Sequence, residues 1–258
     1  MALKNNITVK RLILRLKWFI ITKPFYPIMM KLLSPLILLI LNRAKFSKKE
    51  LNKINNIYEA VDFIMNFEYF TFSIRASQIR NEIIKLLEIL KDIRPKVILE
   101  IGTLQGGTLF LFTRIANPEA TLISLDLPGG PYGGGYAEWK KPLFQFFAKS
   151  KQKIELVNAD SHDPKTLELI RNVLNGRRVD FLFIDGDHTY EGIKRDFEMY
   201  SSLVKEGGII AFHDIAKYPH ETTCDVNKFW NEIKKDYEFL EIIEDINQNW
   251  AGIGVIYL

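Results

Sequence analysis

Phe181-Leu-Phe-Ile-Asp185-Gly-Asp187-His188-Thr-Tyr190 is the stretch whose reading decides the fold. The run from Val179 to Ile184, apolar apart from Asp180, is too short for a buried helix and has no polar alternation. It therefore reads as a strand covered on both faces, the kind found in parallel sheets. Three ionisable residues follow within four positions, and Gly186 lets the chain turn among them. From Thr189 to Val204 the period changes to that of a helix. A buried strand, a polar turn and a helix make up one unit of an α/β fold.

The same unit recurs on both sides. Val97–Ile101 is a strand ending at Gly102, with a helix from about Gly107 to Ala116. Thr121–Leu125 ends at Asp126, and the spacing predicts a helix from Trp139 to Ser150. Ile154–Asn158 leads to Asp160-Ser161-His162, and Pro164 opens a helix to about Leu174, at a position where proline is well tolerated. Gly208–Phe212 ends at His213-Asp214. A helix over Asp225–Tyr237, a strand over Phe239–Ile243 and a seventh strand over Gly252–Tyr257 complete the chain. Upstream, Ser47–Phe67 and Ser77–Ile93 read as helices. Ser47 and Glu50 form a capping box for the first, and Arg94-Pro95 ends the second. Strands of this kind separated by helices imply a sheet covered on both faces, with ligands beyond the carboxyl ends of the strands.

Those ends hold the candidate chemistry. Glu100-Ile-Gly102-Thr103-Leu-Gln-Gly106 opens a helix, where glycines let the backbone approach a ligand and free amides face it. The glycine spacing is not that of a dinucleotide fold. Asp126 stands where a carboxylate can hold both hydroxyls of a ribose, a feature shared by methyltransferases and dinucleotide enzymes. Asp160, Ser161 and His162 can line a base pocket, although Ser161 can equally cap the next helix. Adjacent parallel strands would bring Asp185 close to His213 and Asp214, a set suited to magnesium or manganese. The competing reading is an acidic cluster neutralised by Lys194 or Arg195. Between Leu127 and Tyr136 lie five glycines in ten residues.

Charge divides the chain. There are 35 basic and 31 acidic residues in 258, a net charge of +4, yet 11 of the basic groups precede Glu50, the first acid. Taking those 11 away leaves 24 basic against 31 acidic groups, so the remainder carries −7. Residues 1–45 form a basic arm and 46–258 an acidic body, with 47–95 as a helical lead-in and 96–258 as the sheet core. In the arm Val9, Leu12, Ile13, Leu16, Phe19 and Ile20 share one helical face opposite Lys4, Arg11 and Arg15, the pattern of a helix lying on an anionic membrane. A span needs about 20 apolar residues. Here Lys23, Lys31 and three prolines interrupt the run, so the arm is expected to lie on the membrane and not to cross it. The alternatives are that it caps the body or forms a homo-oligomer interface. The acidic body argues against nucleic acid as a partner. A lone Cys224 excludes a disulfide framework and agrees with a cytoplasmic setting.

Taken together, Leu99-Glu-Ile-Gly-Thr103, Gly106-Gly-Thr108, Asp126-Leu-Pro128, Asp185-Gly-Asp-His-Thr-Tyr190 and Gly207-Gly-Ile-Ile-Ala-Phe-His-Asp214 resemble class I S-adenosylmethionine-dependent methyltransferases. More narrowly, they are similar to the branch holding cephalosporin-hydroxylase-like, macrocin-type and rhamnosyl O-methyltransferases. The resemblance runs from about Gln78 to Leu258 and leaves out the arm. It implies a Rossmann-like, seven-stranded sheet ordered 3-2-1-4-5-7-6 with strand seven antiparallel. Glu100, Gly102, Thr103 and Gly106 would surround the methionine part of S-adenosylmethionine, Asp126 the ribose, and Asp160, Ser161 and His162 the adenine. Asp185, His213 and Asp214 would hold Mg2+ or Mn2+, with His213 standing where relatives carry an acid. Asp187, ranked ahead of His188, would accept the proton of a hydroxylated acceptor such as a sugar or glycolipid, and the glycine loop would form a lid. The absence of an Asn/Asp-Pro-Pro-aromatic tetrapeptide after strand four argues against adenine N-methylation. An NAD-linked enzyme or a non-catalytic protein at the membrane surface are the remaining alternatives.

Overall fold

The computed structural model describes residues 48–69, 72–129, 135–136, 138–219 and 222–258. The basic arm, Ser47 of the expected capping box and positions 130–134 of the glycine loop lie outside them. The chain begins with α1 (Lys48–Leu51) and α2 (Ile57–Met65), followed by a hairpin of two-residue strands, Glu68–Tyr69 and Phe72–Ser73. Next come α3 (Arg80–Ile93), β1 (Val97–Ile101), α4 (Gly107–Ile115), β2 (Thr121–Asp126), α5 (Lys141–Gln145) and β3 (Lys153–Asn158). After these follow α6 (Pro164–Leu174), β4 (Val179–Ile184), α7 (Tyr190–Tyr200), β5 (Val204–His213), α8 (Val226–Ile233), β6 (Glu238–Ile242) and β7 (Ile253–Tyr257).

The seven strands stand in the order 3-2-1-4-5-7-6, and β7 runs antiparallel to both of its neighbours. That is the expected sheet. Because side chains alternate across a strand, each central strand feeds two cores. Ile98, Phe181, Phe183 and Ala211 point to one face with Leu86 and Leu87 of α3 and Phe110 and Phe112 of α4. Leu99, Leu182, Ile184 and Phe212 point to the other with Ile170 of α6, Ile193 of α7 and Trp230 of α8. The ring of Phe112 meets Phe181 and Phe183 edge-on at 5.3 and 5.5 Å, the favoured geometry for aromatic pairs. Both faces are dry, which is why these strands carry almost no polar residue.

Several helices differ from the sequence expectation: those expected to run to Val204 and Tyr237 end at Tyr200 and Ile233, each followed by a 3-10 turn. The helix expected over Ser47–Phe67 breaks after Leu51, and Asn56 begins a new one by accepting a hydrogen bond from the Tyr58 N–H. An asparagine side chain satisfies a free amide at a helix start better than it serves a helix interior. Only Lys141–Gln145 of the segment Trp139–Ser150 is α-helical, preceded by a 3-10 turn over Glu138–Lys140. Asp163, and not Ser161, caps α6, accepting from the Lys165 N–H at 2.9 Å.

Candidate active site

Register aligns the polar strand ends. Ile101 pairs with Leu125 on one side and Ile184 on the other, and Ile184 pairs with Phe212. One residue further along, Gly102, Asp126, Asp185 and His213 stand in a row. A cavity of about 530 Å³ opens over that row, a volume typical of small-molecule sites. Gly102, Asp126, Asp160, Ser161 and His162 line the part over β1–β3. Asp185, Asp187, His188, His213 and Asp214 line the part over β4 and β5. Of the residues expected around a cofactor, Glu100, Thr103 and Gly106 do not line the cavity.

Those three lie beneath it. The Glu100 side chain is fully buried, and its Oε2 accepts from the Thr103 hydroxyl at 2.8 Å. Burial pushes its carboxyl up to about 8, against hydrogen bonding from Thr108 and Thr103 and helped by the nearby Asp185 and Asp126 charges. Gly106 starts α4 in the left-handed region (φ 81°), with the Phe144 ring where a Cβ would sit. Gly102 is constrained more severely. Its φ is +88°, and a Cβ there would lie 1.9 Å from the carbonyl oxygen of Asp185. The turns after β1 and β4 therefore meet backbone to backbone, which only glycine permits.

Asp126 is satisfied by main chain. Its Oδ2 accepts from the Thr103 N–H at 2.9 Å and from the Leu104 N–H. Burial raises its carboxyl, while amides of Leu104, Leu127, Thr103 and Gly135 oppose the rise. At the end of β3, the His162 Nε2 lies 3.3 Å from Oδ1 of Asp196, a fully buried acid of α7. That contact raises the His162 pKa in spite of burial.

The other half of the cavity balances carboxylates with imidazoles. His213 Nδ1 is 3.2 Å from both Asp185 Oδ1 and Asp214 Oδ1. His188 places Nδ1 3.2 Å from Asp214 Oδ2 and Nε2 3.5 Å from Asp185 Oδ1. Burial disfavours a charged His213, but the Asp185 and Asp214 charges outweigh it and lift the ring to about 10. His188 rises to about 11 against the same penalty, through Asp185, Cys224 and Asp214. Burial would raise both acids, yet the facing His213 charge brings each below the usual carboxylate range. The cations considered from sequence point elsewhere: Lys194 sits 3.9 Å from Glu198, and Arg195 donates to the His162 carbonyl at 2.8 Å.

Several residues of this half carry no signal in the sequence. Gln78 Nε2 donates to Asp185 Oδ2 at 3.0 Å across 107 positions of chain. Tyr218 donates its hydroxyl to Asp214 Oδ1 at 2.5 Å and accepts from the Ala251 N–H at 3.1 Å. Asp214 itself has φ 64°, a conformation aspartate tolerates better than most residues. Ser77, Leu104 and Trp250 also line the cavity. Leu104 belongs to the glycine turn after β1, whereas Ser77 and Trp250 come from the lead-in and a loop, where neither periodicity nor motif marks them.

The donor set fits a divalent cation. Asp185, His213 and Asp214 each offer one ligand atom, all within 4.8 Å of one another, and His188, Asp214 and Cys224 form an overlapping group. Two carboxylates with an imidazole suit Mn2+ at least as well as Mg2+, which prefers oxygen alone. The other half fits a nucleoside: a glycine turn without side-chain bulk, a buried strand-end acid and a polar wall on β3.

Comparison with known proteins agrees with this geometry. Residues 99–215 match a family model described as a methyltransferase domain. An uncharacterised protein of Acanthamoeba polyphaga mimivirus is 32% identical over 121 residues, 46% of this chain and 51% of that protein. The chain thus spans about half the length of the curated relative it matches. The O-methyltransferase from Bacillus cereus in complex with SAH superimposes with a TM-score of 0.53 at 14% identity, covering 85% of this chain and 96% of that one. Cofactor-bound Rv0187 from MTB gives 0.55 at 17% identity, covering 86% and 95%. Residues 99–215 thus resemble a methyltransferase domain, and the chain has the Rossmann-like, seven-stranded fold of the class I methyltransferases.

Proposed function

We propose that the protein is an S-adenosylmethionine-dependent O-methyltransferase that uses a divalent cation to methylate a hydroxylated acceptor such as a sugar or glycolipid. One observation carries this reading: a single cavity joins the nucleoside-type wall over β1–β3 to the carboxylate–imidazole cluster over β4 and β5. Gly102, Asp126 and Asp160 to His162 would hold the cofactor, which supplies the methyl group as a sulfonium. Asp185, His213 and Asp214 would hold the cation, which when bound supplies electrostatic stabilisation of charge developing on the acceptor oxygen.

The proton of that hydroxyl needs an acceptor. Asp187 lines the cavity, and its Oδ1 takes the Thr189 N–H at 2.9 Å, which fixes the carboxylate at the start of α7. Both ring nitrogens of His188 already face carboxylates. Asp187 is therefore the general base, and His188 a positioning residue that keeps Asp185 and Asp214 in place. Holding acceptor and methyl donor in one enclosed space contributes the rest of the rate through orientation.

The basic segment 1–45 is proposed to hold the enzyme at an anionic membrane surface on the cytoplasmic side. Among the described residues no helix is long and apolar enough to cross a membrane. The decisive experiment is calorimetric titration with S-adenosylmethionine and with NAD, with and without Mn2+ or Mg2+, followed by methyl-uptake assays on sugars, lipid-linked glycans and phenols. Binding of S-adenosylmethionine and metal-dependent methylation are expected. NAD binding without S-adenosylmethionine binding would overturn the reading.

A further inference from the structure

A cavity of about 310 Å³ lies at the opposite, amino edge of the sheet, among the segments leading into β1, β2 and β3. Four cationic side chains line it: Lys91 and Arg94 from the end of α3, Arg114 from the last turn of α4, and Lys149 just before β3. No acidic residue lines it. Among the described residues none of the four makes an ion pair with a carboxylate; Glu119 pairs with Lys151 and Glu50 with Lys53, and Asp92, between Lys91 and Arg94 in sequence, does not line the cavity.

Arg114 makes the imbalance plain. Its guanidinium donates to the carbonyls of Leu51 and Phe147 and to the Thr113 hydroxyl, and it lies 4.6 Å from the centre of the Phe110 ring. Every one of these partners is neutral. Burial lowers the Arg114 pKa to about 10, and the Lys149 ammonium is held down by burial and by the Arg114 charge. Helix C-termini attract cations, but only by about 0.3–1 kcal/mol each at the surface, and Lys149 is on no helix. The basic segment before α1 does not neutralise the group either. Residues 1–47 contain no acid.

We infer that this amino-edge cavity binds a phosphate-bearing ligand through Lys91, Arg94, Arg114 and Lys149, with Asn55 and Ser150 as neutral partners at its wall. Guanidinium and ammonium groups together match a phosphate, whose several oxygens accept from both kinds of donor. The same chemistry is presented by a phospholipid headgroup and by a soluble phosphate ester. The inference is independent of the methyltransferase reading, because its test measures binding at the far edge of the sheet.

That test uses the full chain and the double variant Lys91→Gln/Arg94→Asn. Both positions are exposed, and asparagine tolerates the left-handed backbone at 94 (φ 46°). Thermal unfolding checks that the variant is folded, and Lys149→Gln, on a separate segment, must reproduce its effect. The probes are inorganic pyrophosphate in calorimetric titration and vesicles of phosphatidylcholine with and without phosphatidic acid in co-sedimentation. Loss of two charge-assisted contacts should weaken binding on the order of tenfold or more. A loss confined to pyrophosphate identifies a soluble phosphate ligand, and a loss confined to phosphatidic acid vesicles a lipid headgroup; either supports the site. Equal binding of both probes by wild type and variants, or no binding by wild type, overturns it.

Discussion

The two halves of the cavity over the strand ends each hold buried carboxylates, and they stabilise them by different means. Over β1–β3, Asp126 is held by backbone amides, and Glu100 below it is pushed up to about 8 by burial. Over β4 and β5, Asp185 and Asp214 face two imidazoles and a glutamine amide. Amides in a turn bind one shape and cannot leave, as befits a half that is proposed to recognise the same cofactor at every turnover. Side-chain cations can rotate or lose their protons, as befits a half that is proposed to exchange His–Asp pairing for a metal ion.

The comparison breaks most severely if the second half is emptied of charge. Asp185→Ala and Asp214→Asn should each lower methyl transfer by roughly a thousandfold or more, the scale of losing transition-state electrostatics. Affinity for S-adenosylmethionine should change little, because Asp126 and its amides are untouched. Activity of both variants that persists in chelator would assign the cluster a structural role. Gly102→Ala tests the seam between the halves. Its Cβ would overlap the Asp185 carbonyl, and the residue would be forced into a left-handed conformation. We expect a loss on the order of 3 kcal/mol or more in denaturant unfolding.

How far this arrangement could be read from sequence follows the range of the contacts. Gly102, Asp126, Asp185 and His213-Asp214 were legible because each ends an apolar strand, and parallel register then brings strand ends together without further information. Gln78 was not legible, since its partner is 107 positions away and nothing local distinguishes it from other polar residues of the lead-in. Asp196 hid for the opposite reason. It sits among charged residues of α7, where sequence suggests a solvated face, yet it is fully buried beneath His162. Lys194 and Arg195 are close to the cluster in sequence but face away from it, because the helix turns them toward Glu198 and the His162 carbonyl.

The first half is tested by pH. Glu100 has a folded-state pKa raised from 4.5 to about 8, so the folded protein keeps a proton that the unfolded chain releases. The associated stability is fully present below pH 4.5 and is lost as the pH rises through about 8. Wild type should therefore lose a few kcal/mol between pH 6 and pH 9, measured by denaturant unfolding, while Glu100→Gln shows a flatter profile. Parallel profiles would mean that Glu100 is ionised in the fold.

The smallest effect separates positioning from chemistry in the second half. Gln78 touches neither the proposed base nor Asp214, but its amide fixes one oxygen of Asp185 at 3.0 Å. Gln78→Leu removes that hydrogen bond and should cost about 1–2 kcal/mol in keeping the carboxylate in place. If the role is positioning, the activity lost, on the order of tenfold, should return as Mn2+ is raised, because added cation drives the misplaced carboxylate back into use. Gln78→Glu reverses the sign locally by adding an acid beside Asp185. It should raise the affinity for Mn2+ while leaving S-adenosylmethionine binding unchanged. A purely structural Gln78 would instead give equal losses of activity at all Mn2+ concentrations, accompanied by a lower unfolding midpoint.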